Sequence, residues 1–300
     1  MADWDDLRVF LAVARAESLS AAGRILKCDA ATVGRRIARF EEAMGAKLFV
    51  KSPQGYALSD AGARLISHAE QAEQAMAGAR EALLGAAGRL TGQVRIGAPD
   101  GCANYLLPQV CADLADAHPG LEIQIVALPR VFNLSKREAD MAIAVSRPSA
   151  GRLTVQKLTD YRLHLAAHSE YLVQHAEITS KSDLKSHRMI GYIPDMIFDK
   201  ELDYLAETGV DHVGLASNSV SVQMQMLRAG AGVGIVHDFA LPFTPGVVRI
   251  LTDQVSLTRA FWLIRHADDR RSERLSRLAE ALGQGLKREV LRLEGLAGGA

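Results

Sequence analysis

Arg35, Arg36 and Arg39 stand with Thr32 on one side of a helix that the spacing predicts over residues 30–44. Val33, Ile37, Phe40 and Met44 recur on the other side at i, i+4, i+7 and i+11, which marks that side as the core. A guanidinium fork pairs with phosphate oxygens and with the acceptor edge of guanine, and a threonine hydroxyl bonds to either. Three arginines on a helix ordinarily make only a solvated face. Here a short helix and a tight turn precede them and a hairpin-like wing follows, an arrangement that presents a helix to the major groove of DNA. The candidate DNA-contacting set is Ser20, Ala30, Ala31, Thr32, Gly34, Arg35, Arg36 and Arg39, with Lys51 and Gln54 from the wing.

Other chemically capable groupings carry less. Ser182-Asp-Leu-Lys185 has the Ser-x-x-Lys spacing of acyl-transfer enzymes but no companion motif, and reads as a helix N-cap at Ser182. Gly230, Gly232 and Gly234 are wrongly spaced for a dinucleotide cradle and run from helix to strand, so they predict a helix C-cap and turn. Cys102 and Cys111 lie nine residues apart. Along one helix that is roughly 13 Å, beyond the disulfide reach of about 7 Å, so they read as packed thiols. With Cys28 they make no disulfide framework and no zinc spacing. His164, His168, His187, His237 and His266 show no metal-ligand spacing and are expected at surface or capping positions. No metal or cofactor is expected.

The elements that hold the arginines read clearly. Residues 3–17 put Leu7, Phe10, Leu11 and Ala14 on one helical stripe, with acidic residues in the first turn. Ser20 is expected to cap the second helix and Asp29 the third, with a turn at Lys27, Cys28 and Asp29 and a stop at Gly45. From Ser59 one alanine-rich helix runs to near Leu90. Leu65, Ala69, Ala72, Met76, Ala79 and Leu83 lie on its heptad seam, which continues to Ala86 and Leu90 and is expected to pair with a second copy.

Beyond Thr91-Gly92 short apolar runs alternate with helical ones. Strands are expected at 94–97, 121–126, 141–145, 163–167, 189–193, 213–216, 232–236 and 260–264. Helices are expected at 104–117, 170–175, 198–207, 220–229 and 269–293, with a frayed tail over 295–300. The alternation argues for two small α/β lobes sharing one cleft. Ligands in open α/β sheets sit beyond the carboxyl ends of strands. Those ends are Pro99, Asp100, Gly101 and Cys102; residues 128–131 with Arg130 and Val131; Ser146 and Arg147; and Ser217, Asn218 and Ser219. Each alone is an ordinary loop or cap, and 217–219 would cap the next helix regardless. Arg130 and Arg147 suit an anion, which Asp100 opposes.

Composition sets bounds. Three hundred residues, 48% of them hydrophobic, suit two or three domains with real cores. Net charge is zero, so DNA binding must rest on a local patch; residues 29–51 carry a surplus of two cations. The acidic, amphipathic start is not expected to be a signal peptide, and no apolar run reaches the length of a membrane span. The cysteine usage points to the cytoplasm.

With these residues in view, the whole chain resembles the LysR-type transcriptional regulators. The most specific segment is Leu7-Arg-Val-Phe-Leu-Ala-Val-Ala-Arg-Ala-Glu-Ser-Leu-Ser-Ala-Ala22. It continues through Thr32-Val-Gly-Arg-Arg-Ile37, Phe40-Glu41, Gly45, Leu48-Phe49 and Leu58-Ser-Asp-Ala-Gly62. Echoes follow at Gly92-Gln-Val-Arg-Ile-Gly97, Leu106-Leu-Pro108, Glu138-Ala-Asp-Met-Ala-Ile143 and residues 228–235. The resemblance implies an α+β multidomain chain: a winged helix-turn-helix at 1–62, a linker and dimerisation helix at 59–90, and an effector domain at 91–300. That last domain would resemble periplasmic solute-binding proteins, with lobe one at 91–160 and 267–300 and lobe two at 161–266. The resemblance adds Tyr192, Ile193 and Pro194 to the effector cleft.

Three departures from the pattern stand out. Gly34 occupies a usual serine position, and a mid-helix glycine costs up to ~1 kcal/mol relative to alanine. Lys51 stands where arginine is common, and Pro53-Gln54 replaces a second basic residue. Cys102 lies near a usual Ser or Thr hydroxyl for an effector carboxylate.

The reading is a cytoplasmic, homodimeric or homotetrameric regulator of transcription that binds double-stranded DNA and a small-molecule effector, with RNA polymerase as a further implied partner. It is not expected to be an enzyme or to bind a membrane. A solute-binding protein is the first rival, and an α/β enzyme with a DNA-binding appendage the second.

Overall fold

The apolar stripe of the first helix folds as α1 (Trp4–Ala16), with Val9, Phe10, Leu11 and Val13 buried. The computed structural model describes residues 4–52, 55–84, 90–127, 139–148, 151–267, 269 and 272–298. They fall in two units, Met1–Gly88 and Arg89–Ala300.

In the first unit α2 (Leu19–Leu26) is capped by Ser18, whose Oγ accepts from the Ala21 N–H at 3.4 Å. Ser20 is therefore not the cap; it lies exposed within α2, because the extended backbone that capping requires ends at Ser18. Lys27 turns the chain in a left-handed conformation, φ 55°. Gly23 lets this turn close, since a Cβ there would come within 2.6 Å of the Cys28 carbonyl. Asp29 then caps α3 (Ala30–Met44), and Gly45 ends it at φ 63°. Val33, Ile37 and Phe40 are buried as the spacing required. Met44 is 43% exposed, a correction: the last turn of α3 runs past the core. Strands β1 (Phe49–Ser52) and β2 (Gly55–Leu58) form the antiparallel wing. Rings of Phe10, Phe40, Phe49 and Tyr56 join wing, α1 and α3 in one cluster.

Helix α4 (Asp60–Leu84) follows, with residues 85–89 of the expected linker outside the described residues. Arg15 of α1 clamps it through Glu73 with two bonds, 3.1 and 2.6 Å. The heptad seam divides. Ala69 is buried and Leu65 packs on the core of its own unit, while Met76 (52%) and Ala79 are exposed. The expected pairing seam therefore begins with two residues that pack within their own unit, where α1 covers the first turns of α4.

In the second unit the described strands make one nine-stranded sheet: β3 (Gly92–Ala98), β4 (Leu121–Ala127), β5 (Met141–Ala144), β6 (Leu153–His168), β7 (Met189–Gly191), β8 (Leu215–Ala216), β9 (Val233–His237), β10 (Val247–Arg249) and β11 (Ser256–His266). The order is β4-β3-β5-β11-β6-β9-β7-β8, with β10 on β6. Pairings are parallel around β3 and between β7 and its neighbours. The long strands β6 and β11 run antiparallel through the middle, with an irregularity at Phe261/Trp262. One end of β11 pairs with β5 and the far end of β6 with β9, so these two strands connect the halves.

Helices α5 (Asp100–Tyr105), α6 (Leu107–Ala117), α7 (Ser169–Gln174), α8 (Val220–Arg228) and α9 (Glu273–Gly298) cover the sheet. Several expectations need correction. The single helix expected at 104–117 is two, broken at Leu106 where Pro108 opens α6. The straight-rise argument for Cys102 and Cys111 lapses with it, although both thiols are buried as expected. The helix expected at 198–207 is a pair of 3-10 turns, Lys200–Leu202 and Leu205–Glu207, because Leu202 and Tyr204 are buried together. Ser180 rather than Ser182 caps the next turn, Lys181–Ser186, with Asp183 completing a capping box. The glycine cluster behaves as a C-cap turn, Gly230 taking φ 65°.

The expected frayed tail is helical to Gly298, with Leu293 and Ala297 buried. Arg249 bonds the Ala297 carbonyl at 2.9 Å and Asp238 at 3.1 Å, and Asp238 also meets His164 at 2.8 Å. His164, His187, His237 and His266 are all buried, against the expectation of surface sites; His168 does cap α7.

Candidate functional site

The first site is the front of α3. The Asp29 carboxylate accepts from the Thr32 N–H at 2.8 Å and from the Thr32 hydroxyl at 2.7 Å, which holds its carboxyl below the usual range. The Thr32 oxygen in turn accepts from Arg35 Nη2 at 2.9 Å. A cap, a hydroxyl and an exposed guanidinium thus form one chain at the start of the helix. Ala30 and Ala31 open the helix beside it, small enough to let a backbone approach. Gly34 faces α2 instead, where an added Cβ would meet Leu19 at 3.3 Å.

Arg36 and Arg39 differ from Arg35. Arg36 bonds Asp5 at 2.8 Å and lies 3.7 Å from Asp6, and Arg39 bonds Asp6 directly. The hydrogen bond from Arg36 pulls the Asp5 carboxyl below its ordinary range. All three arginines leave the core side as the spacing predicts, and two of them are tied to the acidic first turn of α1, Arg39 with 60% of its side chain still exposed. Sequence position shows those aspartates only as partners of the helix dipole.

The wing is fixed by a group that sequence counted merely as negative charge. Buried Glu41 accepts from the Leu48 and Phe49 N–H groups at 2.9 and 3.3 Å and from Lys47 Nζ at 2.7 Å. Burial pushes its carboxyl up, but the Lys47 and backbone bonds outweigh that and hold it below the usual range. Lys51 is exposed on β1, and Gln54 lies outside the described residues.

The second candidate site lies in the second unit, where the starts of α5 and α8 meet. Asp100, at the start of α5, accepts from the Ser219 hydroxyl and the Ser221 N–H, both at 3.0 Å. This brings Pro99, Asp100, Gly101 and Cys102 against Ser217, Asn218 and Ser219 at the start of α8. Ser217 is consumed locally, its oxygens accepting from the Ser219 N–H at 3.1 Å and from Gln223 at 2.7 Å. Gly101 faces Val220 and His237, at 3.5 and 3.6 Å from a Cβ built there. Ser146 bonds Asp199, while Arg147 is exposed. Tyr192 and Ile193 follow β7 half-buried, Pro194 begins an exposed turn, and Arg130 and Val131 lie outside the described residues.

Between these loops lies a ring cluster that periodicity could not foretell. Tyr161 stacks on Phe261 at 4.2 Å and on His237 at 5.4 Å, and Tyr204 meets Tyr192 at 5.8 Å and His237 at 6.3 Å. Burial lowers His237 to about 3 and pushes the Tyr161 and Tyr204 hydroxyls well up. Tyr161 Oη, Tyr204 Oη and His237 Nδ1 are buried with no hydrogen-bond partner among the described residues. Beside Tyr192 and Tyr204 is a cavity of about 20 Å³, walled by Met189, Ile197, Leu202 and Ile235, with room for a water. Burial also raises both thiols, Cys111 to about 11, so neither is a ready nucleophile. Among the described residues no cluster of three metal-ligating side chains occurs, and no helix is long and apolar enough to cross a membrane.

Comparison with known proteins covers both sites. Residues 4–63 match the model of the bacterial regulatory helix-turn-helix protein, lysR family, and residues 87–287 match the LysR substrate binding domain. The transcriptional regulator CrgA of Neisseria meningitidis is 24% identical over 292 residues, covering 94% of this chain and 98% of its own. The solved CrgA structure aligns with a TM-score of 0.58 at 21% identity, covering 95% and 99% of the two chains. A full-length OxyR variant from Pseudomonas aeruginosa aligns at 0.70 and 17% identity, covering 95% of each.

Proposed function

The chain belongs to the LysR family of bacterial helix-turn-helix transcriptional regulators, and on that premise we propose that α3 reads an operator chiefly through Thr32 and Arg35. The observation that carries this is the Asp29–Thr32–Arg35 chain, which orients one exposed guanidinium at the front of the helix. A side chain ordered before contact loses less freedom on binding. Ala30 and Ala31 lie beside it at the groove, Ser20 and Lys51 approach the phosphates, and Arg36 and Arg39 fix the angle between α3 and α1. Gln54 extends the wing contact.

The remainder of the chain answers to a small-molecule effector held near Pro99, Asp100, Gly101, Cys102, Ser146, Arg147, Tyr192, Ser217, Asn218 and Ser219. The effector acts only by binding two arrangements of the domain with different affinity. Copies pair through the later part of the α4 seam, from half-buried Ala72 to exposed Met76 and Ala79. The regulator works in the cytoplasm, contacts RNA polymerase at its promoter, and performs no catalysis. Both halves match one regulator family, which favours this reading over a solute-binding protein or an enzyme with a DNA-binding appendage. An electrophoretic mobility shift on the DNA beside the chain's own gene tests it. Retardation that survives competitor DNA is expected, and binding no tighter than to competitor contradicts the reading.

A further inference from the structure

Three polar atoms of the ring cluster are buried without partners among the described residues: Tyr161 Oη, Tyr204 Oη and His237 Nδ1. Their residues are 1%, 7% and 5% exposed. A buried polar atom left unpaired is costly, and three within touching rings mark a place where a ligand completes the bonding. The charged side chains beside them are directed elsewhere. Asp100 is spent on Ser219 and Ser221 at the start of α8, and Arg259 on Glu201 at 2.8 Å. An anion approaching the α8 amides meets the Asp100 carboxylate in its place. A cation seated on the three atoms finds only neutral partners there, because Glu201 is paired with Arg259 and Asp100, which keeps its charge, is directed at the neutral donors of Ser219, Ser221 and Asn104. Burying either without a counter-charge is unfavourable.

We propose that the cleft takes an uncharged hydrogen-bonding ligand, of the amide, alcohol or phenol class, seated against Tyr161, Tyr204 and His237. This rests on reading the second unit as an effector domain. Each tyrosine hydroxyl donates or accepts, and neutral His237 does one or the other according to its tautomer. The adjoining space of about 20 Å³ is smaller than such a ligand, so its entry moves the segment at 200–207, which carries Leu202 and Tyr204. Such a displacement gives the two arrangements that a control site needs.

The test uses full-length protein and thermal melting with matched probes: acetamide, benzamide and phenol against acetate and benzoate at equal ionic strength. At least one uncharged probe is expected to raise Tm by roughly 2 °C or more, its anionic counterpart doing no more than chloride. Tyr204→Phe removes an unpartnered hydroxyl, so it should keep the ligand-free Tm and lose the response. Asp100→Ala bares the α8 amides and should gain a response to acetate. A wild-type response to acetate or benzoate overturns the proposal, as does silence from every uncharged probe or a response that survives Tyr204→Phe. Arg147→Ala locates any anion response that does occur. If an uncharged probe binds but leaves DNA affinity unchanged, the ligand class stands and the effector reading of the domain fails.

Discussion

Arg35 and Arg36 are sequence neighbours, yet different groups already hold them. Helical spacing showed that both leave the core; it could not show that Asp5 and Asp6 wait beside one of them, because that pairing joins residues some thirty positions apart. Arg36→Ala is accordingly expected to lower the melting temperature of the N-terminal unit more than it weakens sequence preference, which melting and a salt titration of DNA affinity separate. His237 is the second case where environment decides. Its ordinary pKa of about 6.5 falls to about 3 when buried. The unfolded chain therefore binds a proton that the folded chain refuses between those values, so stability is intact above pH 6.5 and lost as pH falls. At one proton per group, lowering pH from 7 to 5 should cost wild type about 2 kcal/mol more than His237→Asn. Equal losses in denaturant titrations at the two pH values would show that His237 titrates freely.

Elements were more legible than sites. Amphipathic stripes gave α1, α3 and α8, and caps at Asp29 and Ser219 opened the last two, because each has its core stripe within its own segment. The helix expected at 198–207 failed since Phe198, Leu202 and Leu205 mimic a helical stripe while the chain buries Leu202 with Tyr204. The role of Glu41 also escaped, since the amides it serves belong to a wing formed seven residues on. Glu41→Ala leaves two buried N–H groups unpaired and should destabilise the N-terminal unit by about 2–3 kcal/mol, measured by chemical unfolding. The wing attachment should also weaken as pH falls through the lowered Glu41 pKa, the carboxylate stabilising it above that value. The α4 seam makes a divided prediction. Met76→Asp places charge on the exposed part and should shift sedimentation toward monomer with the fold intact, whereas Ala69→Asp buries charge and should unfold the unit. Identical effects from both would mean that the seam is not divided.

For the whole molecule, the order of units was readable because a helix-turn-helix, a long helix and an alternating α/β half follow one another without interleaving. The cleft was only half legible. Strand ends named the loops 99–102 and 217–219, which Asp100 joins through Ser219 and Ser221, but Tyr161, Tyr204 and His237 come from strands and turns far apart in sequence and converge only in the folded chain. Regulation requires the DNA-reading surface to recognise sequence rather than charge alone, and the balanced net charge makes that demand strict. The most direct measurement compares wild type with Arg35→Ala by fluorescence anisotropy on the site footprinted beside the chain's own gene, with random DNA of equal length as control. Loss of a base-reading guanidinium should weaken the specific site by about 1–3 kcal/mol, roughly five- to 150-fold, while random DNA changes little and the melting curve stays put. Equal affinity of the two proteins for the specific site would contradict the account.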